Sequence, residues 1–204
     1  LNLARDAHDA LDANERVFVL AGEDPELRGM GTTAVSLLLG PASEGWVAHV
    51  GDSRAYRWRA GRIEALTRDH SVVAEMERRG LITAEEAAVH PRRNEILRSV
   101  GVQAEIEPEV CVIEVQAGDR FLLCSDGLSG LVSDAEIEAI VSASAPASAA
   151  QTLIDTANER GGHDNITVQI VSVRSHDHPG LPSAIPSHVA DSTEAAARTQ
   201  RQRI

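Results

Sequence analysis

The sequence predicts an α+β domain, and three observations support this fold class. Residues 2–20 place apolar side chains three and four positions apart, which is typical of an amphipathic helix. Short apolar or alternating runs between turn residues, such as residues 34–39, indicate strands. Two further helical segments lead through Gly161 and Gly162 into a final apolar strand at residues 166–173. Helices and short strands therefore share one domain.

Two β-hairpins are expected in the middle of the chain. The first pairs residues 45–50 with residues 53–59, with a turn at Gly61, because apolar and polar side chains alternate along both arms. The second pairs residues 111–115 with residues 121–125 across an Ala-Gly-Asp turn, because both arms are short apolar runs. Hairpins of this kind give antiparallel sheets.

Helix-start signals mark the remaining helices. Thr83 with Glu86, and Ser133 with Glu136, have the three-residue spacing of a capping box, in which each side chain bonds the other residue's backbone N–H. The predicted helices after the first cover residues 67–79, 83–88, 135–142 and 147–160.

Length and composition indicate one domain followed by a tail. The chain has 204 residues, and 43% of them are hydrophobic, as in ordinary globular proteins. We expect the domain to span residues 1–174. Residues 175–204 are rich in Ser, Pro and Ala and have no periodicity, so we expect a disordered tail there.

Charge and cysteine usage narrow the class of protein. The net charge of -12 disfavours nucleic acid as a partner and suits metal cations or basic partners. Cys111 and Cys124 each lie inside an apolar run, which favours reduced thiols and a cytoplasmic protein. No apolar stretch reaches the length of about 20 residues that a membrane helix needs.

Three acidic segments share one local design, in which an aspartate stands at a turn of small residues beside an apolar strand. Asp52 and Asp126 follow such strands, and Asp164 precedes the last one. Each aspartate alone has a simpler explanation, because this residue commonly stabilises turns. Together they indicate a site for a hard divalent cation such as Mg²⁺ or Mn²⁺, which prefers oxygen ligands.

The ordered motifs GMGTT, VGDSRAY, TRDHS, HPRRN, LLCSDGL and GGHDNITV make the pattern specific. Over residues 28–173 this set resembles the bacterial branch of the metal-dependent serine/threonine phosphatases of type 2C. The resemblance implies that Asp126 and Asp164 bind two catalytic Mn²⁺ or Mg²⁺ ions. It further implies that Asp52 binds a third ion, shared with Asp126.

The resemblance also implies a fold and an activity. The family fold is a four-layer αββα sandwich of two mainly antiparallel sheets flanked by helices. The implied reaction is hydrolysis of phosphoserine and phosphothreonine in proteins by a metal-activated water, without a covalent enzyme intermediate. Phosphorylated proteins and Ser/Thr kinases are then the expected partners of a monomeric signalling enzyme.

The sequence departs from the family pattern near its start. Members of the family carry an ADGMGGH-like motif before the GMGTT segment, and residues 1–27 contain no such motif. We therefore expect a chain truncated at its amino terminus that lacks the first strands of the sandwich, and we assign no catalytic residue. The 204-residue chain expressed alone is expected to be poorly soluble and inactive, since sheet edges and apolar faces would be exposed.

Two other functions stay open at this point. A noncatalytic module with the same fold would bind phosphoproteins or kinases, and a different metallohydrolase would use the same carboxylates on another phosphoester. The histidines do not separate these functions. His163 is expected to lie behind the metal ligands or to face solvent, while His70 and His90 are expected to cap or hydrogen-bond rather than catalyse.

Overall fold

A computed structural model describes residues 3–40 and 43–174, with side chains from residue 10 onward. The helices of this part are α1 (Leu3–Glu23), α2 (Val72–Arg78), α3 (Ala84–Ala88), α4 (Asp126–Ser129), α5 (Asp134–Ala143) and α6 (Pro146–Glu159). The strands are β1 (Ala34–Leu39), β2 (Glu44–Val50), β3 (Arg54–Arg59), β4 (Arg62–Ala65), β5 (Glu109–Glu114), β6 (Arg120–Cys124) and β7 (Val168–Ser172).

The strands form two antiparallel sheets. One has three strands in the order β1-β2-β5, and the other has four in the order β4-β3-β6-β7. Helix α1 contacts β1 and β2, whereas α5 contacts β3 and β4, and α6 contacts β7. The four layers of the predicted α+β sandwich are thus confirmed.

Apolar side chains fill two separate interfaces. The interface between the sheets is built on Val47, Ala55, Ile113, Val115, Phe121 and Leu123. The interface between the four-stranded sheet and its helices is built on Tyr56, Leu122, Cys124, Leu128, Val132, Ile137, Val141, Leu153 and Ala157. Successive residues of β6 serve the two interfaces alternately, as the two-residue period of a strand requires.

The predicted pairing of residues 45–50 with residues 53–59 is wrong. Strand β2 pairs with β1 and β5, while β3 pairs with β4 and β6, so the two strands lie in different sheets. The chain crosses between the sheets at Gly51, whose φ is 108°. The turn at Gly61 is present, but it joins β3 to β4; Ala60 and Gly61 both have positive φ there, as in tight hairpin turns.

The predicted hairpin of residues 111–115 with residues 121–125 is wrong for the same reason. Strand β5 pairs with β2, and β6 pairs with β3 and β7. Alternation along a strand reports which face is buried, and it does not identify the neighbouring strand. A short connection between two strands that pack face to face in a sandwich therefore resembles a hairpin in sequence.

The helix expected at residues 67–79 begins only at Val72, with Ser71 as its N-cap. Thr67 to His70 stay outside the helix, because they form hydrogen bonds with other segments of the chain. The Thr67 hydroxyl accepts from the Ala55 N–H at 3.0 Å, and the His70 N–H donates to the Gly51 carbonyl at 2.9 Å.

The capping boxes at Thr83 and Ser133 are both formed, and they begin α3 and α5 as expected. Cys111 and Cys124 are free thiols. Within the described ranges, none of the helices has the length and apolar character needed to cross a bilayer. The tail expected at residues 175–204 lies outside the described residues.

Candidate metal site

The turns that carry Asp126 and Asp164 are joined by hydrogen bonds. The Ser125 hydroxyl donates to the Asn165 carbonyl at 3.0 Å and accepts from the Thr167 N–H at 3.0 Å. The Ser125 N–H in turn donates to the Thr167 carbonyl at 3.1 Å. Since Asp126 follows Ser125 and Asp164 precedes Asn165, these bonds fix the two aspartates on adjoining turns.

Gly127 allows these turns to approach closely. A Cβ at this position would lie 2.5 Å from the carbonyl oxygen of Asn165, which is a backbone atom with little freedom to move. Gly127 is buried, and α4 begins immediately before it, at Asp126. The glycine of the SDG sequence is therefore required by packing between the two aspartate turns.

Asp52 lies half-buried on the crossing between the sheets, and other carboxylates raise its pKa. Burial is the main cause that raises its pKa from 3.8 to about 6, followed by the negative charges of Asp126 and Asp69. Arg54 lowers this pKa, but its contribution is smaller than that of either aspartate. The carboxylates of Asp52, Asp69 and Asp126 are thus close enough to repel one another, and a cation would relieve this repulsion.

Arg54 directs its guanidinium to Asp69 rather than to Asp52. Its Nε and Nη2 atoms donate to the two Asp69 oxygens, each at 2.8 Å, in the bidentate geometry of strong ion pairs. Nη1 donates to the Tyr56 hydroxyl at 3.1 Å, and that hydroxyl donates to Asp134 at 2.9 Å. The hydrogen bonds that Arg54 donates to Asp69 raise the pKa of Arg54, and burial raises the pKa of Tyr56.

A second group of potential ligands lies beside this network. Single ligand atoms of His49, His70 and Glu109 lie within 4.8 Å of one another, and both histidines are buried. The two imidazole rings stack with centroids 4.5 Å apart and planes 21° apart.

The hydrogen bonds of His70 argue against a metal at this second group. Its Nδ1 accepts the Gly51 N–H at 3.2 Å, so the proton of the neutral ring lies on Nε2, which faces Glu109 at 3.3 Å. A neutral histidine that binds a metal through Nε2 needs its proton on Nδ1, where it would oppose the Gly51 N–H. The donor set of the aspartates fits a hard divalent cation better.

The three predicted metal ligands lie on the crossing between the sheets and on the two adjoining turns beside β6 and β7. Asp52 and Asp126 interact electrostatically, and Asp164 is on the turn joined to that of Asp126. Their role as ligands stays a prediction. Our sequence reasoning gave no role to Asp69 or Arg54, although the TRDHS and VGDSRAY motifs contain them. The sequence offered one signal, which is the arginine two positions after Asp52.

The expected hydrogen bonds of His70 and His90 are present, and their expected lack of a catalytic role stays a prediction. His70 forms hydrogen bonds to Gly51 and Glu109, and the His90 Nδ1 accepts from the Arg92 N–H at 3.1 Å. His163 is exposed.

Comparison with known proteins gives a consistent family. A family profile described as Protein phosphatase 2C matches residues 2–166. The serine/threonine phosphatase stp of Listeria innocua is 41% identical over 161 residues, which cover 78% of this chain. The chain spans 64% of the length of that relative.

Solved structures agree in fold. Serine/threonine phosphatase Stp1 from Staphylococcus aureus has a TM-score of 0.78 and 34% identity, covering 83% of this chain and 66% of that one. The catalytic domain of the serine threonine protein phosphatase PstP, in complex with two manganese ions, has a TM-score of 0.70 and 37% identity, covering 78% and 67%. Because this profile matches most of the chain, the chain belongs to the protein phosphatase 2C family.

Proposed function

We propose that this chain takes part in the metal-dependent hydrolysis of phosphoserine and phosphothreonine in proteins, opposing Ser/Thr kinases. The observation that supports this most directly is the half-buried carboxylate of Asp52, whose pKa is raised to about 6 by burial and by the negative charges of Asp126 and Asp69. Placing a half-buried carboxylate beside two others costs free energy, and a cation bound at Asp52 would offset this cost.

Asp126 and Asp164 are the proposed ligands of two Mn²⁺ or Mg²⁺ ions, and Asp52 is the proposed ligand of a third ion shared with Asp126. The two manganese ions of the PstP complex support this choice of metal. When bound, such ions supply a nucleophilic water at neutral pH and neutralise the charge of the phosphoryl group.

The chain's own residues position the carboxylates. Ser125 holds the Asp126 and Asp164 turns together, and Gly127 leaves room for their contact. Arg54 neutralises Asp69, so that the charge beside Asp52 is partly compensated. These fixed groups need little reorganisation when a cation enters, which favours tight and selective binding.

We also propose a single phosphatase domain over residues 1–174, supported by the family match to residues 2–166. The proposed location is the cytoplasm, supported by the free thiols of Cys111 and Cys124. A monomer is proposed as the working form.

Mn²⁺ titration and phosphopeptide hydrolysis test this function in the protein at its natural length. Asp126→Asn and Asp164→Asn remove a negative ligand each, so we expect Mn²⁺ affinity to fall by more than about 100-fold, the upper end of the loss seen for outer-shell partners. Hydrolysis of a phosphothreonine peptide should be lost with it. The control is Asp155→Asn, because Asp155 is an exposed carboxylate on α6 whose partner is Gln151.

Unchanged Mn²⁺ affinity in both ligand variants would contradict the proposed site. Mn²⁺ binding without hydrolysis of any phosphopeptide would contradict the proposed reaction and would favour a noncatalytic binding module.

A further inference from the structure

Gly51, the residue before Asp52, forms two backbone hydrogen bonds with a single residue, His70. The His70 N–H donates to the Gly51 carbonyl at 2.9 Å, and the His70 Nδ1 accepts from the Gly51 N–H at 3.2 Å. Both backbone hydrogen-bonding groups of Gly51 are therefore satisfied by His70. Because Gly51 is buried, losing either bond would leave a polar group without water or partner.

Gly51 adopts a conformation that depends on this support. Its φ of 108° is outside the range that other residues readily adopt, and a Cβ here would lie 2.4 Å from the Thr33 Cγ2. Only glycine readily adopts the conformation that this crossing requires. Glycine also has the largest backbone freedom of any residue when nothing constrains it. External hydrogen bonds must then fix the direction in which Asp52 leaves the turn.

The imidazole of His70 is itself held in place. It stacks on His49, whose Nε2 is bonded to the Arg68 carbonyl at 2.9 Å, and its Nε2 faces Glu109 at 3.3 Å. The His70 carbonyl also accepts the Leu97 N–H at 2.7 Å. His70 thus has a fixed ring, a fixed tautomer and a fixed backbone.

The Asp52 carboxylate is stabilised by its own backbone N–H and, to a smaller extent, by the charge of Arg54. The nearby carboxylates of Asp126 and Asp69 repel it, and Arg54 is occupied by its bidentate pair with Asp69. The place of the Asp52 carboxylate in the metal-free protein is thus set by its backbone, and that backbone is set by His70.

We propose that His70 is a positioning residue for the metal-binding carboxylate of Asp52, acting through its double hydrogen bond to Gly51. This inference rests on the proposed function, since it assumes that Asp52 binds a divalent ion. The imidazole acts as a hydrogen-bond acceptor at Nδ1 and touches neither substrate nor metal.

Two substitutions separate the hydrogen bond from the bulk of the side chain. Asn places an amide oxygen near the position of Nδ1, whereas Gln places its amide near the position of Nε2. We expect His70→Asn to keep Mn²⁺ affinity within about threefold of the unsubstituted protein. His70→Gln and His70→Leu should lose about 10-fold or more for the ion at Asp52, within the range for partners behind a ligand.

The measurements are calorimetric Mn²⁺ titration and the rise in Tm that saturating Mn²⁺ produces over the value in chelator. His90→Leu is the matched control, because His90 also accepts a backbone N–H through Nδ1, but within its own loop. A merely structural role for His70 would lower Tm in chelator and leave the Mn²⁺-induced rise unchanged.

Each outcome bears on the inference. Asn and Gln variants with equal Mn²⁺ affinity would overturn it, as would His70→Leu with the affinity and stoichiometry of the unsubstituted protein. Where His70→Leu does not fold, the Asn and Gln pair decides. An unsubstituted protein that binds no Mn²⁺ would overturn the proposed function and this inference with it, whereas normal binding with unaffected His70 variants would overturn the inference alone.

Discussion

The two sheets differ in how they are covered, and the proposed metal-binding carboxylates differ in the same way. The four-stranded sheet is buried on both faces, by the other sheet and by α4, α5 and α6. The three-stranded sheet packs one face against its partner, while α1 covers part of the other, where Val112 remains 63% exposed. Residues of the four-stranded sheet are therefore fixed by packing on both faces.

The carboxylates follow the same division. Asp126 and Asp164 border β6 and β7, which are neighbours in the doubly covered sheet, and the Ser125 bonds join their turns directly. Asp52 lies on the crossing from one sheet to the other, and His70, on a separate segment, holds the preceding Gly51 through two hydrogen bonds. Packing thus places two of the proposed ligands, whereas hydrogen bonds place the third.

The largest effect should come from the doubly covered sheet. Leu128 is 0% exposed against this sheet, so Leu128→Ala should lower the free energy of unfolding by about 2–5 kcal/mol through lost burial and a residual cavity. Val112→Ala is the comparison on the other sheet, and its cost should stay within about 0.5 kcal/mol because the side chain is largely exposed. Urea unfolding in chelator measures both. Equal costs would contradict the contrast between the sheets.

A smaller loss is expected where the two aspartate turns meet. In Gly127→Ala the added methyl group would press on the Asn165 carbonyl, so we expect a cost of about 1–3 kcal/mol together with weaker Mn²⁺ binding. Gly22→Ala is the matched control, because its Cβ would meet nothing within 4 Å and α1 would gain helix propensity. Thermal unfolding in chelator measures the loss of stability, and the rise in Tm on adding Mn²⁺ measures the change in binding. A Gly127→Ala variant that binds Mn²⁺ normally would show that the turns tolerate separation.

The smallest effect is a pH dependence of the segment that holds Asp52. Burial lowers the pKa of His70, and the charges of His49 and Arg98 act in the same direction, while Glu109 opposes them. The unfolded chain therefore takes up this proton first, near pH 6.5, and the folded protein only at lower pH. The contribution of His70 to the free energy of unfolding is fully present above about pH 6.5 and is lost as the pH falls below this value.

His70→Asn removes this titration while keeping the acceptor for Gly51. Between pH 7 and pH 5, Tm in chelator should fall further for the unsubstituted protein than for the variant. The difference should be at most about 2–4 °C, the shift that 1 kcal/mol produces in a chain of this size. Identical pH profiles would mean that His70 titrates as freely in the folded protein as in the unfolded chain.

Local signals in the sequence located most elements but not their partners. The capping pairs at Thr83 and Ser133 were readable because both partners lie within one helical turn. The two hairpin predictions failed because alternation is the same for a strand that turns back within its sheet and one that crosses to the next. The helix predicted from Thr67 failed since hydrogen bonds to Gly51 and Ala55 compete with helix formation there.

Asp52, Asp126 and Asp164 could be selected as candidate ligands from the sequence because each stands in a short motif beside a strand. Their motifs also identified the family, which the comparisons confirm. His70 and Asp69 could not be given their roles, because the residues they hold, Gly51 and Arg54, are 19 and 15 positions away in the chain. The sequence by itself determined the strands, the caps and the acidic turns, since these depend on neighbours. Only the tertiary structure decided which strands pair and which groups hold Asp52, because those contacts depend on how distant segments pack.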